Sequence, residues 1–199
     1  MKKAALYIHG KGGDFTEAES YRKNLSGCEV VGVDYAIDFP WITEKPIRAA
    51  YDALRREYGS IVLIANSIGA YLAMHALQDC PVGKALFISP VLDMERLILD
   101  MLGWAGATES DLREQGELPT DFGEILSWDY LTYVRAHPIA WTVPTEILYA
   151  SGDTLISRET VDAFTKSHSA NLTVLENGEH WFHTPEQLAF LDAWMARVL

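Results

Sequence analysis

The chain has 199 residues, of which 49% are hydrophobic and 22% are charged, so a single globular domain with a substantial core is expected. Its formal net charge of −12 disfavours nucleic acid and anionic membrane surfaces as partners, because the long-range field of the protein repels phosphate groups. No apolar run approaches the roughly 18 residues that a membrane span needs.

The N-terminus favours a cytoplasmic protein, and the cysteines indicate no metal site. The basic N-terminus resembles the start of a signal peptide, but the apolar run at 4–8 ends at His9 and is shorter than the roughly 7–15 residues of a signal h-region. Cys28 and Cys80 lie far apart and match no metal-ligand spacing. Buried or half-buried free thiols are therefore expected, and a disulfide is the unsupported alternative.

Six short apolar runs predict the strands of a parallel sheet. Several of these runs are continuous instead of alternating, which is typical of strands that are covered on both faces. The predicted strands are residues 4–8, 30–35, 61–65, 84–89, 145–150 and 171–176.

Helical patterns separate these runs and predict an α/β fold with right-handed crossovers. Pro46 is expected to begin the first helix and Gly59 to end it. Thr184 and Gln187 have the spacing of a capping box, so the last helix is predicted from Pro185 to the C-terminus. Two further helices are predicted over residues 68–79 and 158–168.

The segment 91–141 contains no convincing strand and predicts a helical insertion. Helical patterns cover residues 92–102, 109–115 and 123–136. Insertions of this length between two strands are usually functional, so a lid over a binding site is the leading interpretation. A local elaboration of the packing is the alternative.

A polar pair, Asn66 and Ser67, lies where the third strand meets a helix. A nucleophilic serine needs exposure on a rigid turn, a nearby base and donors for the oxyanion. The small residues Ala65 and Gly69 relieve the crowding of a sharp turn. The amide of Ile68 begins a helix, whose dipole favours negative charge there. A serine that only caps the helix is the alternative interpretation.

The pentapeptide at 65–69, ANSIG, resembles the nucleophile elbow G-x-S-x-G of α/β-hydrolases, with alanine in place of the first glycine. The segment LYIHGKGGD at 6–14 resembles the oxyanion-hole loop of the same family. The resemblance implies that the backbone amide of Lys11, with Gly12 next, holds the oxyanion together with the amide of Ile68. The histidine of this loop is then a structural residue and not the base.

The remaining members of a catalytic triad are expected after later strands. Asp153 follows the fifth strand, where a carboxylate can orient an imidazole. A turn aspartate is the alternative, and Asp93 is a less favoured acid. The resemblance favours His180 over His183 as the base, because Gly-x-His after the last strand is the family habit. The order Ser67, Asp153, His180 matches the family's order of Ser, Asp and His.

The resemblance covers nearly the whole chain and implies a three-layer α/β/α fold. The sheet is then six-stranded, mostly parallel and ordered 2-1-3-4-5-6, in one domain over 1–199 that is a monomer or homodimer. The implied function is a serine hydrolase that cleaves a small ester through an acyl-enzyme, without metal or cofactor. Carboxylesterase activity leads, and a peptidase or thioesterase uses the same triad. Substrate contacts are expected from Gly12, Asn66, Trp104, Trp128 and Trp181, although these tryptophans could equally belong to the core.

Two other functions compete with hydrolysis. Nucleotide binding is disfavoured because Phe15 stands where G-x-G-x-x-G needs its third glycine. The phosphate-loop motif also fails, since Lys11 is followed by Gly12 and not by Ser or Thr. The other competitor is a non-catalytic small-molecule-binding protein of the same fold. Covalent labelling of Ser67 by a fluorophosphonate distinguishes the two, because an enzyme would be labelled and a non-catalytic binding protein would not.

Overall fold

The structure is a computed structural model that describes residues 2–199, and strands alternate with helices along most of this length. In chain order the elements are β1 (Lys3–Ile8), a 3-10 helix (Phe15–Asn24), β2 (Cys28–Gly32), α1 (Pro40–Glu57), β3 (Ser60–Asn66), α2 (Ile68–Leu77), β4 (Lys84–Ile88), α3 (Met94–Trp104), α4 (Glu109–Gln115), β5 (Glu117–Pro119), β6 (Ile125–Ser127), α5 (Trp128–Ala136), β7 (Thr145–Ala150), α6 (Arg158–Ser167), β8 (Ala170–Leu175) and α7 (Pro185–Val198).

Six of the strands form one parallel sheet in the order β2-β1-β3-β4-β7-β8. This order confirms the predicted arrangement 2-1-3-4-5-6. The longest pairing joins β1 to β3, from Lys3 opposite Ser60 to Ile8 opposite Ala65. Because all strands of a parallel sheet point the same way, the loops that follow β1, β3, β7 and β8 all emerge at one edge.

Helices cover both faces of this sheet, which confirms the three-layer α/β/α architecture. On one face, Tyr7 and Ile64 belong to the same core cluster as Trp194 of α7, and the 3-10 helix contacts α7. Successive strand residues point to opposite faces, so the buried Leu6 and Leu63 lie on the other face, where α1 and α2 pack against β1 and β3.

The sequence predicts that the first helix begins at Pro46, but in the structure this helix begins at Pro40. Pro40 occupies the first turn, where its missing N–H costs nothing, and Pro46 lies inside the helix. The buried face extends backwards from Ile47 through Thr43 to Pro40. The packing of this longer face compensates for the one backbone hydrogen bond that Pro46 cannot donate.

Several further elements differ from the sequence prediction. The 3-10 helix at Phe15–Asn24 was not predicted, and the second strand ends at Gly32 and not at residue 35. The segment 91–141, predicted to hold no strand, contains the antiparallel pair β5 and β6. Each of these strands has three residues, too few for a periodic pattern. The predicted helix at 123–136 therefore begins later, where the Ser127 side chain accepts a hydrogen bond from the Tyr130 amide.

The described chain divides into two compact units, one formed by residues up to 92 with 141–199 and the other by 93–140. Within the second unit, the Arg135 guanidinium forms ion pairs with Glu95 at 2.7 Å and with Glu109 at 2.6 Å. These bonds tie α5 to α3 and α4. The role of this segment as a lid stays a prediction.

The cysteines are free, and the helices of the described chain are not of a membrane-spanning kind. Cys28 and Cys80 are both half-buried free thiols, as the sequence predicted. Between residues 2 and 199, the helices are all too short or too polar to cross a bilayer.

The central strand β3 offers a test of the core. Ile64 is fully buried, so Ile64→Ala is expected to lower the free energy of unfolding by about 2–5 kcal/mol, because it removes buried methyl groups and leaves a cavity. Ile42 on α1 is 48% exposed, and Ile42→Ala is expected to change it by no more than about 0.5 kcal/mol. Urea denaturation followed by circular dichroism measures both variants, and equal effects would contradict this placement of the core.

Candidate active site

Ser67 lies at the turn between β3 and α2 in a strained backbone conformation, with φ of +50° and ψ of −124°. Residues other than glycine rarely adopt such angles. Its amide donates to the Ile88 carbonyl and its carbonyl accepts from the Val91 amide, each at 3.0 Å. The Ser67 side chain makes no capping hydrogen bond to α2. The interpretation of Ser67 as a helix cap is therefore wrong, and its hydroxyl is available for another partner.

The end of β1 approaches the start of α2 so closely that only glycine fits at position 69. A side-chain carbon on Gly69 would come within 2.7 Å of the Ile8 carbonyl oxygen and closer still to that of His9. Ala65, on the other side of Ser67, is fully buried. The small residues of the pentapeptide thus allow the helix, the strand and the loop after β1 to meet at the serine.

The partner of the Ser67 hydroxyl is His180, which follows β8. Ser67 Oγ lies 2.8 Å from His180 Nε2, and His180 Nδ1 lies 2.6 Å from Asp153 Oδ2. The Asp153 side chain is fully buried, and its other oxygen accepts hydrogen bonds from the amides of Leu155 at 2.8 Å and Ile156 at 2.9 Å. These amides compensate for the lost hydration of the carboxylate and hold its orientation.

The hydrogen-bond geometry assigns the tautomer of His180. A carboxylate only accepts, so the short contact to Asp153 requires the proton of the neutral ring to be on Nδ1. Nε2 then carries a lone pair and accepts from the Ser67 hydroxyl. A serine whose hydroxyl donates to an imidazole, itself oriented by a buried carboxylate, is arranged for general-base-assisted nucleophilic attack.

The loop after β1 lies beside Ser67. The Gly13 amide donates to the Gly10 carbonyl at 3.2 Å and closes a turn through Lys11 and Gly12. Residues 10–13, Ser67 and His180 line one cavity of about 550 Å³. The assignment of the Lys11 amide to the oxyanion hole stays a prediction.

His9 contributes to this loop through backbone contacts. It is buried, and its ring nitrogens lie 2.9 Å from the Gly10 carbonyl oxygen and 3.1 Å from that of Tyr35. The Tyr35 hydroxyl donates to the His9 carbonyl at 2.7 Å. These contacts join the loop to the segment that follows β2.

Solved structures share this architecture at low sequence identity. Est1E from Butyrivibrio proteoclasticus is 16% identical, with a TM-score of 0.76 over 99% of this chain and 87% of that one. Mouse alpha/beta hydrolase domain-containing protein 10 is 15% identical, with a TM-score of 0.74 over 98% and 88%. The chain has the α/β-hydrolase fold.

A third structure and two sequence comparisons complete this picture. The proline iminopeptidase-related protein from Thermus thermophilus is 18% identical, with a TM-score of 0.63 over 98% of this chain and 88% of that one. No protein-family model and no curated protein matches the sequence. At these identities the likeness concerns the fold alone.

Asp93 and His183, the alternative acid and base that the sequence offered, make other contacts. Asp93 caps α3, where its side chain accepts from the Arg96 amide at 2.9 Å. His183 stacks on Trp181 with ring centroids 4.6 Å apart, and its Nδ1 lies 2.8 Å from the Trp181 carbonyl oxygen and 3.6 Å from a Glu179 carboxylate oxygen. These bonds hold the loop that carries His180.

The predicted substrate contacts fall in two places. Trp181 is 71% exposed and lines the cavity at Ser67, as do Gly12 and Asn66. Trp104 and Trp128 belong to the unit 93–140, so their assignment stays a prediction. Within that unit Trp104 packs edge-on against Phe122, with ring centroids 6.2 Å apart.

Sequence reasoning missed the carboxylate in the cavity. Glu17, on the 3-10 helix, lines it and accepts a hydrogen bond from the hydroxyl of the buried Tyr7. Asn66 Nδ2 donates to the same hydroxyl at 3.0 Å. Asp14 caps this helix by accepting a hydrogen bond from the Thr16 amide. An aspartate three residues before a glutamate has the spacing of a capping box, and this signal could have revealed the helix that carries Glu17.

The close packing at Gly69 provides a test of the turn. Gly69→Ala is expected to destabilise the protein by about 1–3 kcal/mol, because the added carbon meets backbone atoms that cannot move aside. Gly103 in α3 has open space around it, and Gly103→Ala is expected to be neutral or to stabilise by up to about 1 kcal/mol. Chemical denaturation compares the two variants, and a Gly69→Ala protein of unchanged stability would contradict the close approach.

Proposed function

We propose that the protein is a serine hydrolase that cleaves small esters. The observation that carries the proposal is the unbroken hydrogen-bond chain from Ser67 Oγ through His180 to the buried Asp153. It joins three residues from separate loops at one edge of the sheet and borders a cavity large enough for a small substrate.

Acylation follows from this arrangement. His180 Nε2 takes the proton of the Ser67 hydroxyl as Oγ attacks the carbonyl carbon of the ester, and Asp153 balances the positive charge that forms on the ring. The tetrahedral intermediate then expels the alcohol, which leaves with the proton from His180. Ser67 now carries the acyl group.

Deacylation repeats the same steps with water. His180 takes a proton from a water molecule as its oxygen attacks the acyl carbon, and the proton then passes to Ser67 as the bond to Oγ breaks. The free acid departs and the hydroxyl is restored. Besides the ester and water, these steps use only Ser67, His180, Asp153 and backbone amides.

Backbone amides would stabilise the oxyanion in both halves of the reaction. The Ile68 amide begins α2, so the positive end of the helix dipole adds to its hydrogen bond. The Lys11 amide is the second donor in the proposal, since its loop lines the cavity with Ser67. An oxyanion-hole donor typically contributes about 3–4 kcal/mol to the activation barrier.

The fold comparisons support an acyl substrate without identifying it. One structure of Est1E contains bound ferulic acid, so this fold accommodates a small aromatic acid in that protein. The likeness to a proline iminopeptidase-related protein favours amide hydrolysis as the second candidate. The same triad serves both reactions, and a panel of esters, thioesters and aminoacyl amides distinguishes them.

Removing the nucleophile is the primary test. Ser67→Ala is expected to abolish hydrolysis of p-nitrophenyl acetate and labelling by a fluorophosphonate, because it removes the hydroxyl that pairs with His180 and would form the acyl-enzyme. Ser167→Ala, an exposed serine on α6, is the matched control and should retain both. Turnover by Ser67→Ala above the uncatalysed rate would overturn the assignment, as would a folded wild-type protein that is not labelled.

The two histidines after β8 are separated by a second pair of variants. His180→Ala is expected to lower kcat for the same ester by about a thousandfold or more, because the base is lost. His183→Ala is expected to change kcat by less than about tenfold, because it only loses contacts that support the loop. Steady-state kinetics at pH 7 measures both, and the opposite ranking would make His183 the base.

A further inference from the structure

The cavity at Ser67 combines an apolar wall with one acidic side chain. The apolar part of its lining consists of Ile88, Trp181, Phe182, Leu188 and Leu191. Among the described residues that line this cavity, Glu17 is the one carboxylate, and Lys11, Tyr21 and His180 are the other ionisable groups. A substrate that fills the cavity therefore meets Glu17 on the same surface as the nucleophile.

Glu17 is held in place by bonds on both its side chain and its backbone. The Tyr7 hydroxyl donates to Oε2, and Tyr7 itself is fully buried in β1. The carboxylate lies against Gly13, where a side-chain carbon would come within 2.7 Å of it. The Ser20 hydroxyl donates to the Glu17 carbonyl at 2.7 Å. These contacts fix the position of the charge before any substrate binds.

Tyr7 leaves Glu17 with capacity for a further partner. Burial, followed by the nearby Tyr21 and Glu17, raises the pKa of Tyr7 far above its ordinary value, so its hydroxyl remains a donor. It uses one acceptor position of the carboxylate, which has about four. Glu17 is exposed at the cavity, so its negative charge stays hydrated and costs little in the absence of a ligand.

We propose that Glu17 forms a subsite for a positively charged group of the substrate, so that the preferred substrates are small esters with a cationic amine or ammonium. This inference rests on the proposed function and adds a substrate class to it. The net charge of −12 acts in the same direction, because it raises the local concentration of cations. The positive charge of Lys11, which lines the same cavity, opposes the attraction of a cation. The contribution of Glu17 is therefore measured as the difference between the wild-type protein and a Glu17 variant.

Two pairs of esters of matched shape test the charge alone. In the first pair the charge lies in the alcohol, with acetylcholine compared to 3,3-dimethylbutyl acetate. In the second it lies in the acyl group, with the p-nitrophenyl esters of 4-(trimethylammonio)butanoate and 5,5-dimethylhexanoate. The wild-type protein is expected to show a higher kcat/KM for the cationic member of at least one pair, and that pair identifies which side of the ester faces Glu17.

Glu17→Gln removes the charge but keeps an oxygen that accepts from Tyr7. It is expected to lower kcat/KM for the preferred cationic ester by about fivefold, the effect of a partly exposed ion pair, and to change that of the neutral member by less than about twofold. Glu19 lies on the same 3-10 helix but outside the cavity, where it pairs with Arg22 at 2.6 Å. Glu19→Gln is the matched control and should change neither value.

Failure of the subsite is distinguishable from failure of the proposed function. If Ser67 is labelled and p-nitrophenyl acetate is hydrolysed, but neither pair shows a preference for the cation, the subsite is wrong and the hydrolase stands. An equal loss on cationic and neutral esters in Glu17→Gln would make Glu17 a purely structural acceptor and also overturn the subsite. Absence of Ser67 labelling in the folded protein would overturn both proposals.

Discussion

The strained turn at Ser67 is the constraint from which the site geometry follows. A residue with φ of +50° and a side chain is unfavourable by about 1–3 kcal/mol, and it persists only where the surrounding structure determines it. Here the hydrogen bonds to Ile88 and Val91 hold the turn, and the fully buried Ala65 anchors the strand before it. In this conformation the Ser67 hydroxyl makes no capping bond to α2 and contacts His180 instead.

The parallel sheet converts this local constraint into a site built from distant parts of the chain. Ser67 and His180 are 113 residues apart, and Asp153 precedes His180 by 27, yet each follows a strand that ends at the same edge. Register therefore controls the hydrogen-bond distances between them. The β7 and β8 pairing, from Thr145 opposite Ala170 to Ala150 opposite Leu175, places the two loops side by side.

The sequence predicted the parts of the fold that repeat a strong pattern and missed those that depend on tertiary contacts. Continuous apolar runs revealed the six strands of the sheet, and the positions of Ser67, Asp153 and His180 after strands predicted that these three residues lie at one edge of it. The strands β5 and β6 have three residues each, too few for a period to emerge, and the 3-10 helix buries only Ala18 and Tyr21, so it shows no apolar stripe. Pro46 was misjudged because a proline inside a helix is tolerated only where a buried face compensates for it, and burial is not visible in the sequence.

The same limitation explains why Tyr7 and Glu17 were not recognised. Tyr7 lies in the apolar run of β1, where its ring suggests a core position, and only the return of the 3-10 helix brings Glu17 to its hydroxyl. Through this hydroxyl the carboxylate in the cavity is linked to Asn66, the residue that precedes the strained serine. In this network the negative charge belongs to the Glu17 carboxylate, while the hydrogen bonds that order Tyr7 and Asn66 need only an acceptor oxygen at that position. Replacing Glu17 by an amide changes the charge that a substrate meets, while the acceptor that orders Tyr7 and Asn66 remains, so recognition of a cation is separable from support of the turn.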